Sequence, residues 1–356
     1  SSDVCSSDLA APPQAIFREN SIDATRVAGR IYNSPQLESI WLNGSYSAGD
    51  ASFSANSFTG WTSRSVSNFF PTTISLEANW WGSSDEATIA NGLASVATGQ
   101  IDFGPFLLSG TDSDPATPGF QPDLSALAVT PLGAQAGSDA RVQEAMNLVA
   151  PGGTVTILSG AYGETSVLVN RPNLSVNGEA GVSGVAFVLD SADSLSLSGA
   201  GNLAITGNAN ANTLVANAGR NTFTGLGGAD LFRFSAAAAG VSSGTSFDTI
   251  TDYSGSSGDR LDLEGSPLIA NSAAIDISAA TTEADAITGS LQHGVLSVSG
   301  DVASLNTIEE WLSAARLLAP APLQVAAFAV GADTYIFQDN GANDLDRKST
   351  RLNSSH

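Results

Sequence analysis

Large apolar residues recur at a spacing of nine along one stretch of this chain: Ile205, Leu214, Phe223 and Phe232. The registers between them are GNANANTLV (207–215), ANAGRNTFT (216–224) and GLGGADLFR (225–233). In each, the first six residues read as a turn whose Gly or Asn can take left-handed backbone angles. The last three read as a short strand that points one large side chain inward. Long helical periodicity is nearly absent elsewhere, and short β-branched runs alternate with Gly, Asn, Ser and Thr. That is the profile of an all-β solenoid, in which stacked repeats bury one continuous core.

Upstream, residues 16–82 carry strand-like pieces separated by Asn and Gly: IWLNGSY, ASFSANSF and TTISLEANWW. Farther on, apolar pairs fall in LSV (174–176), VAFVL (185–189), LSL (195–197) and LAI (203–205), so the rungs shorten before the period locks at nine. Two helices are predicted. Ser138 to Ala150 places Val142, Ala145, Met146 and Val149 on one face and stops at Pro151-Gly152-Gly153. Thr307 to Leu318 opens with a Thr307/Glu310 capping box and an apolar face of Ile308, Trp311, Leu312 and Ala315. Glu309 and Glu310 therefore have a helix-terminus role and are not read as a catalytic pair. Asp112, Asp114 and Asp123 lie beside Ser, Thr and Pro and are assigned to turns.

The ends differ from the rest. Residues 1–9, SSDVCSSDL, and 346–356, DRKSTRLNSSH, can be encoded by DNA stretches that are nearly reverse complements. Both resemble translated sequencing-library adapter and are set aside from fold reasoning. The remaining segment, Ala10 to Leu345, is then expected to be a metagenomic fragment open at both ends. It has no Cys, no Lys and a single His, His293, and its ten arginines face 32 acidic residues. The net charge of −22 argues against nucleic acid or an anionic membrane as partner and suits a cation-binding protein. No apolar run is long enough for a transmembrane helix, so no membrane insertion is expected. Without Lys or Cys there is no P-loop, Schiff base, thiolate nucleophile or thiolate zinc site. His293 has no G-x-S-x-G elbow to serve and is assigned to an ordinary strand or loop.

Several stretches resemble known families. Ala78-Asn79-Trp80-Trp81-Gly82 resembles a sequence common near the end of right-handed parallel β-helices, where Asn79 would ladder or cap a turn and the two Trp would cover an end rung. IDFGPFLLSGTDSDPATPGFQPD (101–123) resembles the exit segment of the same proteins, and VQEAMNLVAPGGTVTILSGAYGE resembles the start of another such unit. The nonapeptides resemble the RTX (hemolysin-type) repeat G-G-x-G-x-D-x-U-x of bacterial type I secreted proteins, where U is a large apolar residue. FDTITDYSGSSGDRLDLEG (247–265) resembles the segment that closes the roll in serralysin-type proteins, and AAFAVGADTYIFQDNGANDL (326–345) resembles their terminal strands.

The resemblance implies a right-handed parallel β-helix solenoid running into a calcium-binding parallel β-roll, with short capping helices. Calcium, wanting six to eight oxygens, would be held between turns by backbone carbonyls and sixth-position side chains. Its implied ligand residues are Gly207, Asn210, Asn212, Gly219, Asn221, Gly225, Gly228, Asp230, Asp248 and Asp252, and Asp259 and Asp262 match the closing motif by position. Asn stands at two of the three sixth positions, which predicts weakened calcium affinity.

The expected division is an adapter-derived scar (1–9), the end of a first β-helix unit (10–104), a linker or wrapped loop (105–137) and the start of a second β-helix unit with an N-terminal capping helix (138–206). An RTX-like roll with closing strands (207–265), a truncated C-terminal secretion-type domain (266–345) and a second scar (346–356) follow. The expected function is a secreted or cell-surface, adhesin-like structural protein. Its partners would be calcium, the type I secretion machinery and an extracellular polysaccharide or cell surface. The alternative is a polysaccharide-active β-helix enzyme, a uronan lyase or epimerase, although Arg18, Arg26, Arg30 and Arg64 match no catalytic motif. An upstream protease domain has no H-E-x-x-H here to support it.

Overall fold

The computed structural model describes residues 15–17, 21–23, 38–42, 51–59, 64–68, 73–95, 100–234, 247–263, 268–269, 271–282, 286–338 and 348–353. Residues 1–9, Arg18, Arg26 and Arg30 lie outside them, and Arg64 belongs to a strand. Among the described residues the chain is mostly β, with many parallel strand pairs, three α-helices and no sheet that closes on itself. No helix among them is long and apolar enough to cross a membrane. The chain divides into two compact units, Ser1–Leu158 and Ser159–His356.

In the first unit, β1 (Ile74–Ser75) pairs in parallel with β2 (Ile101–Asp102). Earlier short strands pair in parallel in the same way, as Glu38–Leu42 does with Arg64–Asn68. Asn79 does ladder: its Oδ1 accepts from the backbone N–H of Asn56 at 2.8 Å and from the Asn56 amide at 3.1 Å, while its own amide donates to the Leu76 carbonyl at 2.6 Å. Trp81 is fully buried and stacks on Phe58 with ring centroids 4.7 Å apart, so it fills the core and does not merely cover a rung. Helix α1 (Glu86–Gly92) is capped by Asp85, which accepts from Thr88 N–H.

Strand β3 (Phe106–Leu107) pairs antiparallel with β4 (Ala126–Val129), which pairs in parallel with β5 (Thr154–Ile157). Two strands thus form inside 105–137, because Leu127, Ala128 and Val129 are buried despite the Pro and Asp around them. The three Asp residues of that segment close turns. Asp112 accepts from Asp114 N–H, Asp114 from Thr117 Oγ1, and Asp123 from Ser125 N–H. Helix α2 (Arg141–Leu148) buries Val142, Ala145 and Met146, and Val149 behind it, on the face its spacing predicts. It starts after Ser138, at an Ala140 cap with no side-chain bond; the preceding Asp139 is instead held by Asn147 and Gln135. Pairing with β4 draws α2 and β5 into the first compact unit.

Among its described residues the second unit begins with ten strands: β6 (Ala161–Val169), β7 (Leu174–Gly178), β8 (Ser183–Leu189), β9 (Ser194–Gly199), β10 (Leu203–Thr206), β11 (Thr213–Val215), β12 (Thr222–Thr224), β13 (Leu231–Phe234), β14 (Asp248–Ile250) and β15 (Arg260–Leu263). Successive strands alternate between two parallel ladders. One runs β6-β8-β10-β12-β14 and the other β7-β9-β11-β13-β15. The sequence period of nine therefore becomes a pairing period of 18, with Ile205 opposite Phe223 and Leu214 opposite Phe232. Within a strand such as β7, Leu174 and Val176 point inward and Ser175 and Asn177 are partly exposed, the alternation a half-buried strand requires. Phe223 and Phe232 meet edge-on at 6.4 Å, and both are almost wholly buried.

The C-terminal part turns antiparallel. Strands β16 (Ser272–Asp276), β17 (Ile287–Gln292) and β18 (Val295–Gly300) form a meander, and His293 occupies the β17–β18 turn at φ 51°. Helix α3 (Ile308–Leu318) carries the expected capping box and buries Leu312 and Ala315, while Trp311 stacks on Phe328. Strands β19 (Gln324–Val330) and β20 (Asp333–Gln338) form a hairpin. Lys348–Asn353, within the stretch set aside as adapter-derived, forms β21 between β20 and β14.

Two substitutions test these contacts by urea unfolding. Phe232→Ala is expected to cost about 3–5 kcal/mol through lost burial and a cavity. Thr307→Ala is expected to cost about 1 kcal/mol through loss of the helix cap.

Candidate metal centre

Alternation of strands stacks alternate turns. The 207–212 turn lies against 225–230: Gly227 N–H donates to the Asn208 carbonyl at 3.1 Å and Leu231 N–H to the Asn212 carbonyl at 2.8 Å. The four glycines assigned from the repeat sit where backbone or side chain comes close. A Cβ on Gly228, which has φ 106°, would run into the Asn210 carbonyl, and one on Gly219 into the Gly201 carbonyl. A Cβ on Gly207 would strike Asn212 Oδ1, and one on Gly225 would strike Asp230 Oδ2. The sixth-position oxygen of these two turns thus hangs over the first residue of its own turn.

The same side chains also reach to the neighbouring coil. Asn212 N–H donates to Asp230 Oδ1 at 2.8 Å, and Asp230 N–H donates to Asp259 Oδ1 at 3.0 Å. On the other ladder, Asn221 donates to Asp248 Oδ1 from its backbone at 2.8 Å and from its amide at 3.1 Å. Asn212, Asn221, Asp230, Asp248 and Asp259 are all buried. Asp252 caps the first two amides of the 225–230 turn, accepting from Gly225 and Leu226 N–H at 2.9 and 2.8 Å. Asn210 is exposed and gives its N–H to Asn208 Oδ1. Asp262 pairs with Arg233 on the surface at 2.7 Å.

The structure therefore gathers Asn212, Asp230 and Asp259 into one column and Asn221 and Asp248 into another. Asp259 is one of the closing-motif aspartates for which the resemblance implies a part in a terminal calcium site. The strand that follows it carries the same signal, since Asp259-Arg260-Leu261 repeats the Asp230-Leu231-Phe232 pattern after a turn with Gly255 and Gly258. Burial pushes the Asp230 carboxyl above its ordinary range; the Asn212 N–H opposes this, and the charges of Asp259 and Asp252 reinforce it. The donors are all oxygens, which suits a hard cation. Asn221 Oδ1 is buried and accepts no hydrogen bond, an oxygen left over after the turn has closed. Asn212, Asn221, Asp230, Asp248 and Asp259 are thus the buried oxygen donors that the turns gather.

A second cluster lies in the first unit and was not singled out in the sequence. Glu77, in the turn after β1, accepts from Ser75 Oγ at 2.5 Å. Asp102 on β2 is fully buried and accepts from Ala136 N–H at 2.6 Å and Gly104 N–H at 3.3 Å. Glu144 on α2 accepts from Gln135 Nε2 at 2.6 Å through Oε1. One carboxylate oxygen from each of Glu77, Asp102 and Glu144 lies within 4.8 Å of the others. Burial pushes the Asp102 carboxyl up to about 6; Ala136 N–H and Arg141 oppose the shift and Glu77 adds to it. Burial likewise pushes Glu144 up to about 8, opposed by Gln135 and reinforced by Glu77, Asp102 and Asp139.

Comparison with protein-family models, with curated proteins and with solved structures finds no match to this chain.

Asn221→Asp places a second carboxylate beside Asp248. It is expected to lower the melting temperature in chelator, where the like charges repel, and to tighten calcium binding by about tenfold, roughly 1.4 kcal/mol. Calorimetric titration with calcium and melting in chelator check the two signs.

Proposed function

We propose that this chain is part of a secreted or cell-surface structural protein, adhesin-like in kind, built as a right-handed parallel β-helix that runs into a calcium-binding β-roll. The observation that carries this reading is the 18-residue parallel register of nine-residue repeats, with buried Asn and Asp side chains stacked at every sixth position. A coil of this kind concentrates carboxylates in its turns, and the chain carries a net charge of −22. At low calcium the buried Asp230, Asp248 and Asp259 oppose compaction, because each must shed water without a compensating cation. Such a chain stays unfolded and fit for export by a type I machinery. At extracellular calcium the ion supplies the missing charge, and its binding free energy becomes folding free energy. The antiparallel part beyond the roll would then serve the secretion signal's folding.

Melting and circular dichroism of chelator-treated protein, with calcium then added, test the proposal. A calcium concentration one hundred times the dissociation constant is expected to add about 2.7 kcal/mol to stability, while magnesium at the same concentration adds less. If calcium changes neither the spectrum nor the melting temperature, the proposal is wrong.

A further inference from the structure

The acidic cluster of the first unit is unlike the roll in construction. Its three carboxylates come from a turn, a strand and a helix, and no repeat relates them. Three such groups cannot all keep their charge in a buried place on their own, because each ionised carboxyl loses hydration and repels the other two. Asp102 is 0% exposed and Glu144 8% exposed, so water does little for either. Arg141, whose charge reaches Asp102, gives its N–H groups to the carbonyls of Thr130, Leu132 and Gly133. The backbone amide of Ala136 donates to Oδ2 of Asp102 and that of Gly104 to its Oδ1, and Gln135 donates to Oε1 of Glu144. Oε2 of Glu144 is buried and has no hydrogen-bond partner.

We infer that Glu77, Asp102 and Glu144 form a calcium site that pins helix α2 and the 135–137 loop onto strand β2. The oxygen spacing fits. Three oxygens that all lie within 4.8 Å of one another leave a point no more than about 2.8 Å from each, close to the ~2.3–2.6 Å that calcium takes to oxygen. Magnesium demands near-octahedral order and gives up its water reluctantly, so a largely buried set of three carboxylates suits it less. The donor set is carboxylate only, with no nitrogen or sulfur to favour zinc. The orphaned Glu144 oxygen then gains a partner, and the three negative charges gain a divalent counter-ion. The site uses none of the roll residues, so it stands whether or not the roll binds metal.

Calcium stoichiometry of the full chain, measured by equilibrium dialysis at neutral pH, tests the site with Glu144→Gln and Glu77→Gln. Glu77 is only partly buried, so its variant remains informative if Glu144→Gln folds poorly. Each variant is expected to lose one equivalent of calcium, and Asp230→Asn with Asp248→Asn is expected to keep that equivalent. In chelator, Glu144→Gln is expected to melt at or above the parent, because it removes a repelling charge. With calcium it is expected to lose the increment that this site supplies to the parent. If the roll binds no metal, the parent still holds one equivalent and the variants hold none. An unchanged stoichiometry in folded Glu77→Gln overturns the assignment. So does a Glu144→Gln chain that is destabilised equally with and without calcium, since that marks a structural carboxyl held by protons.

Discussion

Backbone amides in the turns are the groups this architecture must satisfy first. A parallel ladder pairs the amides of its strands, but a tight turn between two ladders leaves N–H groups pointing along the stack with nothing opposite them. In the second unit, buried Asn and Asp side chains meet that need: Asp230 takes Asn212 N–H, Asp259 takes Asp230 N–H and Asp248 takes Asn221 N–H. In the first unit, Asn79 does the same for Asn56. Each bond contributes only about 0.5–1.5 kcal/mol, yet a buried amide left without it costs about 1–3 kcal/mol. The apolar stack of Leu214, Phe223 and Phe232 supplies the driving force, but the polar columns decide where the chain turns.

Carboxylates suit this task because each offers two acceptor oxygens, and they bring a charge that the interior does not welcome. Asn221 is the neutral compromise. It closes its turn through its amide and leaves one oxygen spare. Asp230 is the charged version, pushed up by burial and by its acidic neighbours. A chain with no lysine between Ala10 and Leu345 has few internal cations to offset such groups, and Arg233 is engaged at the surface with Asp262.

The local features were legible in the sequence. Spacing alone gave the buried faces of α2 and α3, the Thr307 capping box and the inward residues of the nine-residue repeats, since each depends on neighbours a few residues away. Asp259 was legible only through its match to the closing motif, because its turn, 254–258, falls outside the nine-residue period and closes through a short helical turn at Ser254. Strand β4 was hidden by its surroundings; its partner β5 lies beyond α2, and no local pattern announces a pairing at that distance. Glu77, Asp102 and Glu144 were invisible for the same reason in stronger form. Each is unremarkable in its own segment, and only the fold brings them within 4.8 Å.

The side-chain columns run in one direction only. Within these columns each amide is claimed by the carboxylate of the coil that follows it in the stack, as Asn212 is by Asp230 and Asp230 by Asp259, whereas Arg220 N–H outside them turns back to Asn202. The two ends of the stack are therefore chemically unequal. Cut on the N-terminal side, the stack presents a spare acceptor oxygen, which water hydrates easily. Cut on the C-terminal side, it presents a turn whose amide has lost its acceptor, beside an apolar floor of Phe232 and Phe234. Shortening the protein from its front and shortening it from its back are different operations, and the later coils underwrite the earlier ones.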